Sequence, residues 1–209
     1  MADLPITSDE GATPVVITDP VTTTNTATVA SAGATGGALV TTKTDGYKTS
    51  YSVAVLGLAT ALTPTDIFTI AGSATKTIRV MFVSVSGTEN NATVRDVQLV
   101  KRTTANSGGT FTTPEITEHD SLNAEATAVV SAYTVNPTLG TLEGIIRADK
   151  LSVPATNLSG AADRISWTFG DRPSQALVLR GTSEVLAINL NGATYATPSF
   201  DLVIEWTEE

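Results

Sequence analysis

The residues best suited to chemistry lie together in "PEITEHDSLN", residues 114–123. This stretch holds the single histidine of the chain, and His119 could serve as a base for Ser121. Neighbouring residues of an extended chain point to opposite sides, whereas a Ser–His–Asp triad needs side chains that converge from different segments. We therefore interpret the stretch as a polar loop between strands. The residues that could in principle bind a metal ion there are Glu115, Glu118, His119 and Asp120.

Other motifs for catalysis or cofactor binding are weak or missing. The chain has no cysteine, so it offers no thiolate nucleophile and no cysteine-ligated zinc. The glycines of "NSGGT" (106–110) are not followed by a helix and a lysine, as a phosphate-binding loop requires, and they indicate a hairpin loop. A glycosidase site remains possible, because two carboxylates that are distant in sequence can meet in space. However, sugar-cleaving grooves usually carry exposed aromatic residues, and aromatic residues are only 5% of the chain. We therefore expect that the protein is not an enzyme and that it binds neither a cofactor nor a metal ion.

Charge and hydropathy narrow the classes of partner. The formal net charge is −9, with 12 basic residues, and Lys101-Arg102 is the one adjacent basic pair. Nucleic-acid binding depends on basic patches, so we expect none. The first residues, "MADLPITSDE", lack the features of a secretory signal, and no apolar run reaches the ~18 residues that span a membrane. We expect a soluble protein made in the cytosol.

The first 46 residues differ in composition from the rest. The stretch "ITDPVTTTNTATVASAGATGGALVTTK" (17–43) is rich in threonine and glycine and has no helical periodicity. It lacks the apolar surface that would offset an ordering cost of roughly 1–2 kcal/mol per residue. We predict an extended arm over 1–46 and a folded body over 47–209. A flexible linker, or strands added to its own body, are the alternatives to an arm that pairs with another protein. The arm residues expected to contact a partner are Val15, Val16, Ile17, Val29, Leu39 and Val40.

The body carries the periodicity of a β-protein. About nine or ten strands follow one another roughly 8–15 residues apart, with one short helix candidate near "SLNAEATAV". This pattern predicts an antiparallel β-sandwich, jelly-roll-like because two sheets absorb this many strands. Asn191-Gly192 predicts a tight turn, and "NPTLG" a second turn. The predicted core residues are Ile78, Val80, Phe82, Trp167, Leu186, Ile188, Leu202 and Trp206.

Several stretches of the body carry a resemblance. They are "DIFTIAGSATKTIRVMFVSVSGT", "VQLVKRTTANSGGT", "HDS", "AYTVNPTLGTL", "FGDRPSQALVLRGTSEVLAINLNG" and "FDLVIEWTEE". They resemble proteins encoded by tailed bacteriophages and prophages, which are described as virion structural proteins. The resemblance covers most of residues 62–209, and its motifs are strand and turn residues without a catalytic pattern. It implies a structural component of the virion, made in the cytoplasm of a bacterial host.

Within that group we favour a capsid decoration (cement) protein. Such a protein bridges capsomers through a compact β-body and an extended arm, and many copies in a symmetric shell supply avidity. The expected partners are the major capsid protein or other virion proteins. We also expect a homo-oligomer, with a trimer favoured by analogy to other β-sandwich decoration proteins. The alternatives are another virion part (head fibre, collar, tail or receptor-binding tip) and a carbohydrate-binding or hydrolytic β-sandwich.

Overall fold

The body folds as an all-β structure. The computed structural model describes residues 48–156, 163–171 and 175–209, and none of these residues is helical. The predicted arm contacts at Val15, Val16, Ile17, Val29, Leu39 and Val40 lie outside the described residues. The strands of the described chain are β1 (Ser50–Ala59), β2 (Asp66–Ala71), β3 (Ile78–Thr88), β4 (Thr93–Arg102), β5 (Thr110–Thr112), β6 (Thr117–Glu118), β7 (Val129–Val135), β8 (Leu142–Val153), β9 (Arg164–Thr168), β10 (Leu177–Leu179), β11 (Val185–Asn189) and β12 (Ser199–Glu208).

The strands form two antiparallel sheets that pack face to face. Sheet A has the order β10-β3-β12-β1-β6, and β9 also pairs with β3; sheet B has the order β5-β7-β2-β11-β4-β8. The chain alternates between the sheets from β1 to β4 and again from β10 to β12, and the first and last strands are neighbours in sheet A. This is the double Greek key of a jelly roll, as the sequence predicts. An insertion between β4 and β8 supplies β5, β6 and β7.

The core lies between the inner faces of the two sheets. Its largest fully buried side chain is that of Trp206, which is 1% exposed and stacks on Tyr51 with ring centroids 5.8 Å apart. Apolar side chains alternate with polar ones along β12, which keeps one face of the strand in the core. The predicted core residues that the structure confirms as buried are Ile78, Val80, Trp167, Leu186, Ile188, Leu202 and Trp206.

Phe82 is the predicted core residue that is wrong. On β3 the register shifts: Phe82 pairs with Glu205, while Val80 pairs with Trp206. Met81 therefore has no partner on β12 and forms a bulge. The bulge changes the alternation of side chains, so that Val83 enters the core and Phe82 is partly exposed.

Of the turn and helix predicted between strands, the structure confirms the turn and not the helix. Asn191 and Gly192 both have positive φ, 58° and 67°, and the Ala193 N–H donates to the Leu190 carbonyl, which makes the predicted tight turn. The predicted helix near "SLNAEATAV" is wrong, since that stretch forms a turn and extended chain. The Asp120 carboxylate accepts the Leu122 N–H, and this local bond competes with helical bonding.

Two loops cross the outer face of sheet B as a pair, contrary to the simple turns expected. "NSGGT" does not close a hairpin, because β4 pairs with β8 and β11 whereas β5 pairs with β7. "NPTLG" joins β7 to β8, which lie on opposite sides of the sheet. The loops, 103–109 and 136–141, run antiparallel, and Ser107 and Thr138 exchange N–H···O bonds of 3.0 and 2.7 Å. We call this pair of loops the ribbon.

The ribbon is held down by a buried acid on the sheet. Asp66, 0% exposed, accepts two hydrogen bonds from the Arg102 guanidinium at 2.7 and 2.8 Å, and one from the Asn189 amide at 2.6 Å. From the ribbon, the Asn106 amide donates to the same carboxylate at 2.8 Å. Arg102 in turn donates to the Gly140 carbonyl at 3.0 Å. Strands and ribbon are thus joined through one carboxylate.

We predict that Arg102→Ala lowers the free energy of unfolding by about 3–5 kcal/mol, because it leaves the Asp66 charge buried without its main partner. Lys150→Ala removes the exposed ion pair of Lys150 with Asp96 (2.6 Å) and should cost less than ~1 kcal/mol. Urea unfolding of the two variants measures the difference. Equal costs would contradict the importance of the buried pair.

Candidate functional site

The histidine stretch lies along a short edge strand and the loop that follows it. Glu118 lies on β6 opposite Tyr51 of β1, and His119 is exposed, with its backbone N–H bonded to the Ser50 carbonyl. The Asp120 carboxylate accepts the Leu122 N–H, so it caps a turn. Within the described ranges, no three His, Asp or Glu side chains come close enough to hold a metal ion. The stretch serves as the edge strand and loop of sheet A.

Glu89 is a second buried carboxylate, and donors surround it too. Arg95 binds it through two nitrogens at 3.0 and 3.1 Å, and the Ala196 N–H donates at 2.9 Å. The Arg95 guanidinium also lies 4.6 Å from the centroid of the Tyr195 ring, a cation–π contact. Burial raises the pKa of the Tyr195 hydroxyl, so it stays protonated. The group joins the end of β3 to β4 and to the loop between β11 and β12.

Glu208 is a third buried carboxylate, and it joins sheet A to the chain that enters β7. It accepts the backbone N–H groups of Thr127 and Ala128, the Thr127 hydroxyl at 2.7 Å and the Trp206 indole N–H at 3.1 Å. Lys76 adds an ion pair at 3.3 Å. Burial alone raises the pKa of Glu208, but these hydrogen bonds favour the charged form and together lower the pKa below 4.5.

The aromatic side chains of the described residues expose little of their surface. Trp167 and Trp206 are buried in the core. Of the aromatic residues in the described chain, Phe111 alone is exposed, and its ring packs on Tyr133 with centroids 5.4 Å apart. Sugar-binding grooves rely on exposed aromatic faces, so this surface gives little support to a carbohydrate-binding site.

The outer side of sheet B presents a broad uncharged surface. It is formed by the ribbon, β5, β7 and the start of β8, and neither 103–114 nor 126–142 contains a charged residue. We call this the neutral surface. Large areas that expose several apolar side chains often mark interaction sites. The large apolar side chains that it exposes are Phe111, Val129, Val135, Leu139, Leu142 and Ile145.

The strand register shows how these side chains come to share one side. One row of paired residues crosses the sheet, and Val129 and Leu142 lie at its two ends. Paired residues point to the same face, and this face is opposite to the one that buries Leu186. The middle of the row is covered and its ends are exposed. The members of the row are Val129, Ala71, Val185, Arg102 and Leu142.

The described chain begins at a fixed point of the body. Lys48 makes an ion pair with Glu209, and the Glu208 N–H donates to the Thr49 carbonyl at 3.2 Å. Lys48, at which the described residues begin, therefore lies beside the end of β12. The described residues contain no helix that is long and apolar enough to cross a membrane.

Sequence reasoning missed both the neutral surface and the Asp66 cluster. A signal for the surface is present, because two long uncharged segments are visible in the sequence. The cluster gives no such signal: Asp66 is 123 positions from Asn189 and 36 from Arg102. Comparison of the chain with family models, curated proteins and solved structures gave no match.

We predict that acid destabilises the body through Glu208. Its folded pKa lies below the unfolded value of 4.5, so its contribution to stability is complete above pH 4.5 and is lost as pH falls through the folded pKa. Thermal unfolding from pH 7 down to pH 3 measures this loss. Glu208→Gln should be less stable at pH 7 and lose less on acidification, whereas Glu205→Gln, on the outer side of β12, should follow the wild-type curve. Parallel curves for Glu208→Gln and wild type would contradict the assignment.

Proposed function

We propose that the protein is a structural component of a tailed-bacteriophage virion, acting as a capsid decoration protein. The observation that carries this proposal is the neutral surface, a wide uncharged area with six large apolar side chains exposed. A free monomer seldom keeps such an area in contact with water, whereas a building block buries it in an assembly. The resemblance of the body to phage-encoded proteins supports the same proposal.

The fold is compatible with this role. Jelly rolls occur in viral capsid proteins and in lectins, so the architecture alone leaves both open. The buried tryptophans and the single exposed aromatic side chain of the described residues favour the structural role over sugar binding. The buried carboxylates are saturated with donors, which favours a structural role over hydrolysis.

Attachment to the particle is proposed to depend on the arm over 1–46. A segment that orders on binding pays an entropic cost but spreads over a large surface of its partner. The major capsid protein is the proposed partner, and copy number separates this role from the others. Densitometry of purified virions should give hundreds of copies for a decoration protein; a dozen or fewer would indicate a collar, tail or tip.

We predict that deletion of residues 1–44 leaves a folded body that no longer attaches to particles. The body has its own core from Tyr51 to Trp206, so its thermal unfolding should stay nearly unchanged. Sedimentation with particles that lack the protein measures attachment. Full occupancy by the truncated body would show that the arm is not needed, and unfolding of that body would show that the arm is a strand of the sandwich.

We also predict that the histidine stretch has no catalytic role. Virions carrying His119→Ala, Glu118→Gln or Asp120→Asn should assemble and infect as wild type does, because these side chains do not converge on one site. Plaque counts normalised to particle number provide the measurement. Loss of infectivity in a variant that still folds and is incorporated would indicate a chemical function there.

A further inference from the structure

The neutral surface is higher on one side than on the other. The difference shows in the exposed fractions of two neighbouring pairs of residues. Val100 of β4 is 2% exposed, while its partner Ile145 on β8 is 52% exposed. Arg102 is likewise buried, and its partner Leu142 is 52% exposed. The ribbon therefore covers β4 and stops short of β8. It stands as a ridge, and Leu142 and Ile145 form a lower apolar shelf beside it.

The ridge carries an apolar side chain of its own. Leu139 is exposed on the ribbon, three residues before the shelf begins at Leu142. A ridge directly beside a shelf is self-complementary about a two-fold axis, because the ridge of one copy can rest on the shelf of the other and the reverse. Such an isologous contact closes as a dimer and leaves no free surface for further growth.

Charge favours a second copy as the occupant of this surface. The chain has a formal net charge of −9, so two copies repel each other over most of their surfaces. The neutral surface is where they can meet without bringing like charges together. Glu143, which follows Leu142 in the chain, is already paired with Lys101 at 3.2 Å. A basic partner could form few ion pairs with this surface, because it has few acidic residues. An acidic partner could form few as well, because the surface has few basic residues.

The width of sheet B approaches the width that a stable dimer interface needs. Six strands from β5 to β8 span about 24 Å at ~4.8 Å per strand. A stable interface needs ~800 Å² per partner, a patch of about 28 Å on a side.

We propose that two copies of this chain associate through the neutral surface, with Leu139 of each packed on the Leu142–Ile145 shelf of the other. This gives a dimer in place of the trimer favoured from sequence, and it does not depend on the proposed virion function.

The first test is the mass of the full chain in solution. Sedimentation equilibrium should give twice the 21.6 kDa chain mass. Ile145→Lys should raise the dissociation constant about 100-fold, because a two-fold axis places the substitution in the interface twice and each buried charge costs roughly tenfold. The matched control is Leu122→Lys, at an apolar residue that is 92% exposed on the loop after β6, and it should not change the dissociation constant. A monomer at 100 µM or a trimer would overturn the proposal, as would equal weakening by both lysines.

The second test is position-specific and does not depend on a folding defect. The chain has no cysteine, so single cysteines report contacts without background. Oxidation of a mixture of Leu139→Cys and Ile145→Cys chains should yield disulfide-linked dimers in larger amount than either variant alone. A mixture of Leu122→Cys and Ile145→Cys should yield none. Equal crosslinking in both mixtures would refute this geometry, and absence of crosslinks in the first mixture would refute it too.

Discussion

The arrangement of the insertion depends on one buried charge, the carboxylate of Asp66. It accepts hydrogen bonds from Arg102 and Asn189 on the sheet and from Asn106 on the ribbon. A buried carboxylate is costly unless donors surround it, so the ribbon cannot lift without exposing or orphaning this group. The crossing is tight as well: a Cβ at Gly140 would lie 1.9 Å from the Thr104 carbonyl oxygen. Charge and sterics thus fix the same crossing point.

The body places several of its acids inside and leaves one large area without charge. Asp66, Glu89 and Glu208 are buried, and each binds several donors from segments far apart in sequence. These acids therefore join loops to sheets and contribute little to the surface. The two uncharged segments of the insertion meet above sheet B, where Leu139, Leu142 and Ile145 are exposed. A chain of net charge −9 can in this way keep a neutral area for contacts.

Most of the strands were predictable from sequence, because alternation of apolar and polar residues reports the face that is buried. Trp206 and the Asn191-Gly192 turn follow from local pattern alone. Phe82 was misplaced, because a bulge at Met81 depends on the register with β12, and a single chain segment does not encode that register. The ribbon and the Asp66 cluster were missed for the same reason: their contacts join positions that only the jelly-roll topology brings together. The candidate interface was not predictable from sequence, because the difference in exposure between Val100 and Ile145 arises only when the ribbon covers β4.

Sheet edges are the usual route by which β-proteins associate, yet the edges described here are poorly suited to it. Most of β1 forms an edge of sheet A, because β6 pairs with only two of its residues. This edge is bulged at Leu56 and Gly57, where the Gly57 N–H donates to Asp201 at 2.8 Å. β8 is the longest edge, but its register with β4 shifts twice and its middle carries Arg147, Asp149 and Lys150. β5 and β6 have only three and two residues, and the other edge of sheet A is divided between β9 and β10, which have five and three residues. Bulges, charges and short strands all discourage strand addition. The face of sheet B lacks each of these protections, so association through a face is physically easier for this body than association through an edge.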